Sequence, residues 1–323
     1  MSNSLGILFA LLTTFSWSIG IFPFTEAARR LGSNALNHFR LLLATVLLTL
    51  TSLIINATGF FHLFTVDYLC AWFWLGLSGI IGLTIGDYFA FSMYAILGAR
   101  IGSVLTTLAP AAALILGSIL LGEHISLIGI LGIVITIFGV INISLGRKER
   151  VKIPDRGHGK VSKGILVGVL GALCQGAGLV MAKKGFITEE QLHHSINPVH
   201  ATFIRMSVGT SAMFLLTLIR WKFSKIIAPL KENKDHGIRY AVLGTTFGPF
   251  IGVCLSLYAV SLIDVSVAQT IFSLVPVFAL LFSFLFLKDK ISARSLTGVL
   301  IAVCGVVILI WRNEIYLFVF HSQ

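Results

Sequence analysis

Long apolar runs separated by short polar breaks dominate the chain. A helix crossing about 30 Å of hydrocarbon needs about 20 mostly apolar residues. Ten stretches meet that length: 5–25, 36–56, 71–95, 101–121, 125–145, 164–182, 199–219, 240–260, 266–287 and 293–311. The runs are continuous and do not alternate with a period of two, which predicts membrane helices and not barrel strands. Two connections are long and polar, 146–163 and 221–239. The expected fold is therefore an all-α integral membrane protein with ten transmembrane helices.

Composition narrows the class further. Of 323 residues, 56% are apolar and 11% charged, against about 25% charged in a soluble domain. With a mean hydropathy of +0.95, soluble enzymes, disordered regulators and secreted disulfide scaffolds are excluded. The formal net charge of +11 would suggest nucleic acid in a soluble chain, but in a membrane protein basic residues mainly record orientation, so no nucleic-acid partner is expected. Nineteen Lys and Arg fall in the odd-numbered loops and three in the even loops and termini. The positive-inside rule then places the odd loops in the cytoplasm and both termini outside, in a membrane of the bacterial plasma (inner) type. Residues 1–4 carry no basic stretch, so the first apolar run is read as a retained helix. Cys70, Cys174, Cys254 and Cys304 are too far apart for a redox or zinc pattern.

The two halves of the chain resemble each other. Sliding the second half back by 166 residues aligns 110–140 with 276–306, and ten of the 31 pairs are identical. They include Pro110/Pro276, Gly132/Gly298 and Gly139/Gly305. Further echoes pair Gly20 with Gly178, Gly82 and Gly86 with Gly244 and Gly248, Tyr94 with Tyr258, and Arg40 with Arg205. The expected division is a first repeat at 5–145, a basic cytoplasmic linker at 146–163 and a second repeat at 164–311. Five helices per half is an odd number, so the two five-helix repeats should be inverted across the membrane.

A few polar residues resist a purely structural reading. Asp87 lies inside the third apolar run, where a carboxylate costs about 2.5–3.5 kcal/mol on insertion scales. It is the ion-coupling candidate; the alternatives are a carboxylate hydrogen-bonded between helices or one wetted near the boundary. Arg40 and Arg205 lie a few residues inside the second and seventh helices. Snorkelling to the headgroups explains both, the alternative being that one neutralises Asp87 or holds a substrate carboxylate. Trp17, Gln175, Thr106, Thr107, Gln269, Tyr94 and Tyr258 are candidates for lining a substrate cavity, although Tyr94 and Tyr258 also suit an aromatic belt. The glycines at 82, 86, 244 and 248 suit close helix packing, and Pro110 and Pro276 suit kinks at equivalent places. Glu189, Glu190, His193 and His194 are expected in a solvated outer loop. No metal-ligand spacing, phosphate loop or catalytic constellation is present in the sequence, so no metal, cofactor or enzymatic activity is expected.

The pattern Pro110…Leu121-Gly122-Glu123…Gly132…Gly139-Val140, repeated as Pro276…Leu287-Lys288-Asp289…Gly298…Gly305-Val306, resembles the EamA-type branch of the drug/metabolite transporter superfamily. Tyr94-Ala95-Ile96, Tyr258-Ala259-Val260 and Trp17 resemble other elements of that family. Lys288-Asp289 in place of Gly-Glu, and Gln175 in place of a tryptophan, are departures from it. The resemblance implies inverted five-helix halves around a central cavity lined by the first, third and fourth helices of each. It also implies export of small metabolites such as amino acids, and a structural, turn-capping glutamate at Glu123. The resulting expectation is a secondary transporter working by alternating access, with the lipid bilayer, a small-molecule substrate and protons or another coupling ion as partners. A membrane-embedded enzyme acting on lipid-linked substrates and a non-transporting scaffold are the alternatives.

Overall fold

The computed structural model describes residues 2–90, 92, 93, 96, 105–144, 161–219, 223–287 and 293–315. Every regular element among them is helical. In chain order these are α1 (Ser2–Leu31), α2 (Ser33–His62), α3 (Val66–Ala90), α4 (Ala109–Leu121), α5 (Leu127–Ser144), α6 (Val161–Gln191), α7 (Pro198–Ile219), α8 (Ser224–Glu232), α9 (Lys234–Leu262), α10 (Val265–Phe272), α11 (Val275–Leu287) and α12 (Ala293–Ile310). Eight spans among the described residues are long and apolar enough to cross a membrane, with α10 and α11 counting as parts of one. The shorter apolar helices α4 and α5 lie where the fourth and fifth spans are expected.

Several helices depart from the sequence expectation. α6 continues to Gln191, well past its expected end at 182. Glu189 is consequently not in a solvated loop: it is fully buried, and its carboxylate lies 3.5 Å from Nδ1 of His194. The expected polar connection 221–239 contains α8, with Ile226 buried and Pro229 in its last turn. Where a kinked fourth span is expected in each half, the described residues show a turn directly before the proline-bearing helix. α4 begins at Ala109 with Pro110 in its first turn, after a turn at Thr107 and Leu108; α11 begins at Val275 with Pro276, after a turn at Ser273 and Leu274. Proline lacks an N–H and its ring clashes with the carbonyl four residues back, so the break falls at matched places.

α3 and α9 share a second irregularity. Each changes from α to the wider π winding in a glycine-rich stretch, at Gly79–Gly86 and Thr246–Gly252.

The chain packs as two compact units. Unit 1 holds Met1–Ile85 and Gly178–Leu262, and unit 2 holds Gly86–Ala177 and Ile263–Gln323. Each draws on both sequence halves, so sequence repeat and packing unit are different divisions of this chain.

In unit 1, α1 lies along α9, and α2 and α3 lie along α7. Apolar burial gives little drive between helices in lipid, so close approach of small residues and interhelical hydrogen bonds supply it. A Cβ on Gly20 would stand 3.3 Å from the backbone N of Gly248, and one on Gly178 would stand 2.9 Å from Cα of Gly82. Nearby hydroxyls complete the crossings: Ser16 donates to the Phe247 carbonyl at 2.6 Å, Thr84 to Gly209 at 2.8 Å, and Ser78 to Gly178. His38 shares a 2.7 Å bond with Thr217 and Thr45 a 2.8 Å bond with Thr210, tying α2 to α7.

In unit 2, α5 and α12 cross through the matched glycines. Gly132 faces Gly305, and Gly139 faces Gly298 and Ala302, so each glycine meets the counterpart of its neighbour. A Cβ on Gly139 would come within 2.3 Å of the Ala302 backbone N, and no side-chain rotation relieves a clash with backbone. Gly139→Val should therefore lower the thermal midpoint of the purified protein, at a cost of at least about 1–3 kcal/mol. An unchanged midpoint would refute this crossing.

Candidate functional site

The candidate residues divide between the units. Unit 2 holds Asp87, Thr106, Thr107, Gln175 and Gln269; unit 1 holds Trp17, Arg40, Arg205 and Tyr258. Tyr94 lies outside the described residues.

In unit 2, Asp87 follows directly on the π-wound stretch of α3 and is half-buried. Nε2 of Gln175, from α6, donates to its Oδ1 at 2.9 Å. Gly171 brings the two helices close enough, since a Cβ on it would lie 3.2 Å from the Ala90 backbone N, while Gly176 seats α6 against Ala109, Ala112 and Ala113 of α4. The structure thus joins two residues that the sequence offered separately, one as a coupling group and one as a cavity-lining amide.

The turns before α4 and α11 lie beside the remaining polar groups of unit 2. Thr106 and Thr107 stand at the interruption before α4, and Thr107 is buried. Gln269 is buried near the end of α10, and its Oε1 has no hydrogen-bond partner among the described residues. An interrupted helix leaves backbone groups without intrahelical partners. Ser273 N–H is taken up by the carbonyls of Gln269 and Thr270 at 3.0 and 3.2 Å.

In unit 1, Trp17 lies on the backbone of Gly252, where a Cβ would come within 2.3 Å of its indole. Trp17 and Gln175 are sequence counterparts, and each contacts the third helix of the opposite half at the end of its π stretch. Tyr258 stacks on Phe9 with ring centroids 5.0 Å apart and donates to Oδ1 of Asn197 at 3.3 Å.

The arginines do not snorkel. Arg205 is 2% exposed and Arg40 7%. A Cβ on Gly82 would lie 2.8 Å from a guanidinium nitrogen of Arg205, and one on Gly79 would overlap the Arg205 carbonyl. Nε of Arg40 donates to Oδ1 of Asn37 at 2.7 Å. Missing side chains on α3 give Arg205 its room, and the glycine spacing of that helix is the sequence signal for it.

Sequence matching covers most of the chain. The model of the EamA-like transporter family matches residues 4–145 and again 162–311. The chain belongs to the EamA-like transporter family. A protein described as an uncharacterized transporter of Synechocystis sp. is 25% identical over 252 residues, which cover 76% of this chain and 73% of that one. A crystal structure with 14% identity superposes with a TM-score of 0.67, covering 95% of this chain and 97% of the other, so the fold is shared. This EamA chain is accordingly a multi-pass integral membrane protein and a membrane transporter.

Glu123, in the Leu-Gly-Glu segment of the first EamA match, has a sharper role than closing its own turn. Both its carboxylate oxygens accept the N–H of Val265, at 3.0 and 3.1 Å, so it caps the first turn of α10 from the other half of the sequence. The turn itself is carried by Gly122, at φ 67°. A carboxylate at a helix N-terminus satisfies an orphan donor and meets the positive end of the helix dipole. Glu123→Ala should lower the thermal midpoint, with a cost of about 1–2 kcal/mol, whereas Glu123→Gln, which keeps an acceptor oxygen, should recover most of it. Equal loss in both variants would assign the effect to charge alone.

Proposed function

We propose that this EamA protein is a secondary transporter that exports a small polar metabolite, such as an amino acid or related compound, by alternating access between two inverted five-helix halves. The observation that carries the reading is the Asp87–Gln175 pair: a half-buried carboxylate within an apolar span, held at 2.9 Å by an amide from another helix. Intramembrane carboxylates are expensive and mark ion or substrate pathways. Asp87 is the coupling group in this reading, and protons are the coupling ion. Gln175, Gln269, Thr106 and Thr107, all in unit 2, are the substrate-facing polar groups.

Three features support the architecture behind it. α4 and α5 are apolar, though shorter than the eight long spans, and lie where a fourth and fifth span are expected. Gly132 and Gly139 meet Gly305 and Gly298 in exchanged order, as an inverted pair of helices would. The fourth span of each half is broken beside a matched proline, and discontinuous helices at equivalent positions are where inverted-repeat transporters bind substrate. The loop charges favour an orientation with the odd loops in the cytoplasm. The chain contains no nucleotide-binding motif, which is why an ion gradient is taken as the energy source.

The test is counterflow and gradient-driven uptake in proteoliposomes. Asp87→Asn keeps an oxygen for the Gln175 amide but cannot exchange a proton. It should abolish acceleration by an imposed pH gradient while retaining gradient-independent exchange. Unchanged pH dependence in that variant would remove Asp87 from coupling.

A further inference from the structure

A second polar site lies wholly within unit 1, at the end where α2 finishes and the α6–α7 connection turns. There a cavity of about 490 Å³ is lined by Asn56, Gly59, Leu63, Tyr68, Ser195, Ile196, Asn197 and His200. We propose that this cavity binds a small uncharged molecule carrying neighbouring hydroxyl groups, such as a polyol or a sugar.

His200 forms its inner wall. The side chain is 4% exposed, the backbone of Ser52 hydrogen-bonds the ring, and Nε2 has no partner among the described residues. A buried polar atom left unsatisfied costs about 1–3 kcal/mol, so it favours whatever can pair with it. An imidazole whose Nδ1–H is given to a carbonyl presents Nε2 as an acceptor, which suits a ligand hydroxyl.

The two amides supply the opposite polarity. Oδ1 of Asn56 accepts the Gly59 N–H at 2.9 Å, and Oδ1 of Asn197 accepts the Val199 N–H at 2.8 Å. Those bonds fix which end of each amide is which and leave both NH₂ groups as donors. Asn56 reaches this position because α2 leaves helical geometry there, at φ −159° and ψ 89°. The hydroxyls of Tyr68 and Ser195 can serve in either sense.

Donors, one buried acceptor and two ambivalent hydroxyls match a molecule that both gives and takes hydrogen bonds. Among the described residues no Asp, Glu, Lys or Arg lines the cavity, so an ionised ligand would lose hydration there without a counter-charge. Gly59 lets the Asn56 amide and the His200 ring close onto the backbone of α2: a Cβ on it would stand 2.6 Å from Nδ2 of Asn56 and 3.2 Å from Cε1 of His200.

The site can be tested by binding alone, without any gradient, so its failure is distinct from failure of the transport reading. Full-length protein in nanodiscs would be titrated with glycerol, glucose, inorganic phosphate and ethylammonium, and separately reconstituted with and without a glucosyl-headgroup lipid. Thermal shift and tryptophan fluorescence serve as readouts, since Nε1 of Trp72 donates to the carbonyl of Leu63 in the cavity wall at 2.6 Å. Glycerol or glucose should bind saturably and the two ions should not; a response to the glucosyl lipid alone supports the same site with a lipid headgroup as its source. His200→Leu should weaken binding at least about tenfold through loss of the acceptor. Gly59→Ala, which removes no polar group, should also weaken it by pushing the Asn56 amide out of its place beside the His200 ring. The proposal is overturned if no hydroxylated probe binds, if phosphate or ethylammonium binds in its place, or if folded Gly59→Ala protein binds as wild type.

Discussion

Backbone-to-backbone contact between helices underlies the whole arrangement. Lipid tails are as apolar as leucine side chains, so burying Leu against Leu gains little once a helix is in the bilayer. What distinguishes one partner helix from another is how closely two chains can approach. Here close approaches fall at Gly79 on Arg205, Gly178 on Gly82, Gly132 on Gly305, Gly139 on Gly298 and Ala302, and, less tightly, Gly20 on Gly244 and Gly248. Each allows carbonyls and amides to come within dispersion range, and in unit 1 it also lets Ser16 and Ser78 reach the carbonyls of Phe247 and Gly178 on the neighbouring helix. The polar groups of interest are held by these crossings: the Gln175 amide reaches Asp87 between two glycines on its own helix, Gly171 and Gly176.

Much of this was legible in the chain. Apolar run length pointed to the eight long spans, because hydrocarbon thickness sets a minimum that sequence either meets or does not. The paired glycines and prolines marked the crossings and interruptions, since substitution at those points is sterically costly. Run length could not say where a helix ends once the chain leaves the apolar stretch. α6 therefore continued through Lys183 and Lys184 to Gln191 and carried Glu189 inward. Position along a helix likewise did not reveal burial. Arg205 sits where snorkelling is easy, and the partner glycines on α3 make room for it to be enclosed instead. The π winding was hidden for a similar reason: it depends on hydrogen bonds formed five residues apart, and composition carries no direct record of them.

Glu123 illustrates how a local motif can serve a distant element. Read along the chain, Leu-Gly-Glu closes a tight turn, and Gly122 does adopt the left-handed conformation that such a turn needs. Read in space, the carboxylate belongs to α10, whose first amide it accepts across 142 residues of sequence. Arg312 pairs with Asp264 at 3.1 Å beside the same helix start. The beginning of α10 is thus fixed from two separate parts of unit 2, which in turn fixes Gln269 one turn further on.

The π winding at Gly79–Gly86 has a geometric effect on the residues C-terminal to it. An α-helix turns each successive residue by about 100°, and a π bulge is equivalent to slipping one extra residue into that count. Everything beyond Gly86 is therefore rotated about the helix axis relative to the phase kept by Leu69–Ser78. A helical wheel drawn straight through α3 would place Asp87 on the wrong side by more than a quarter turn. The azimuth of the carboxylate is set by the local winding number of the backbone, and not by the stripe of apolar residues upstream.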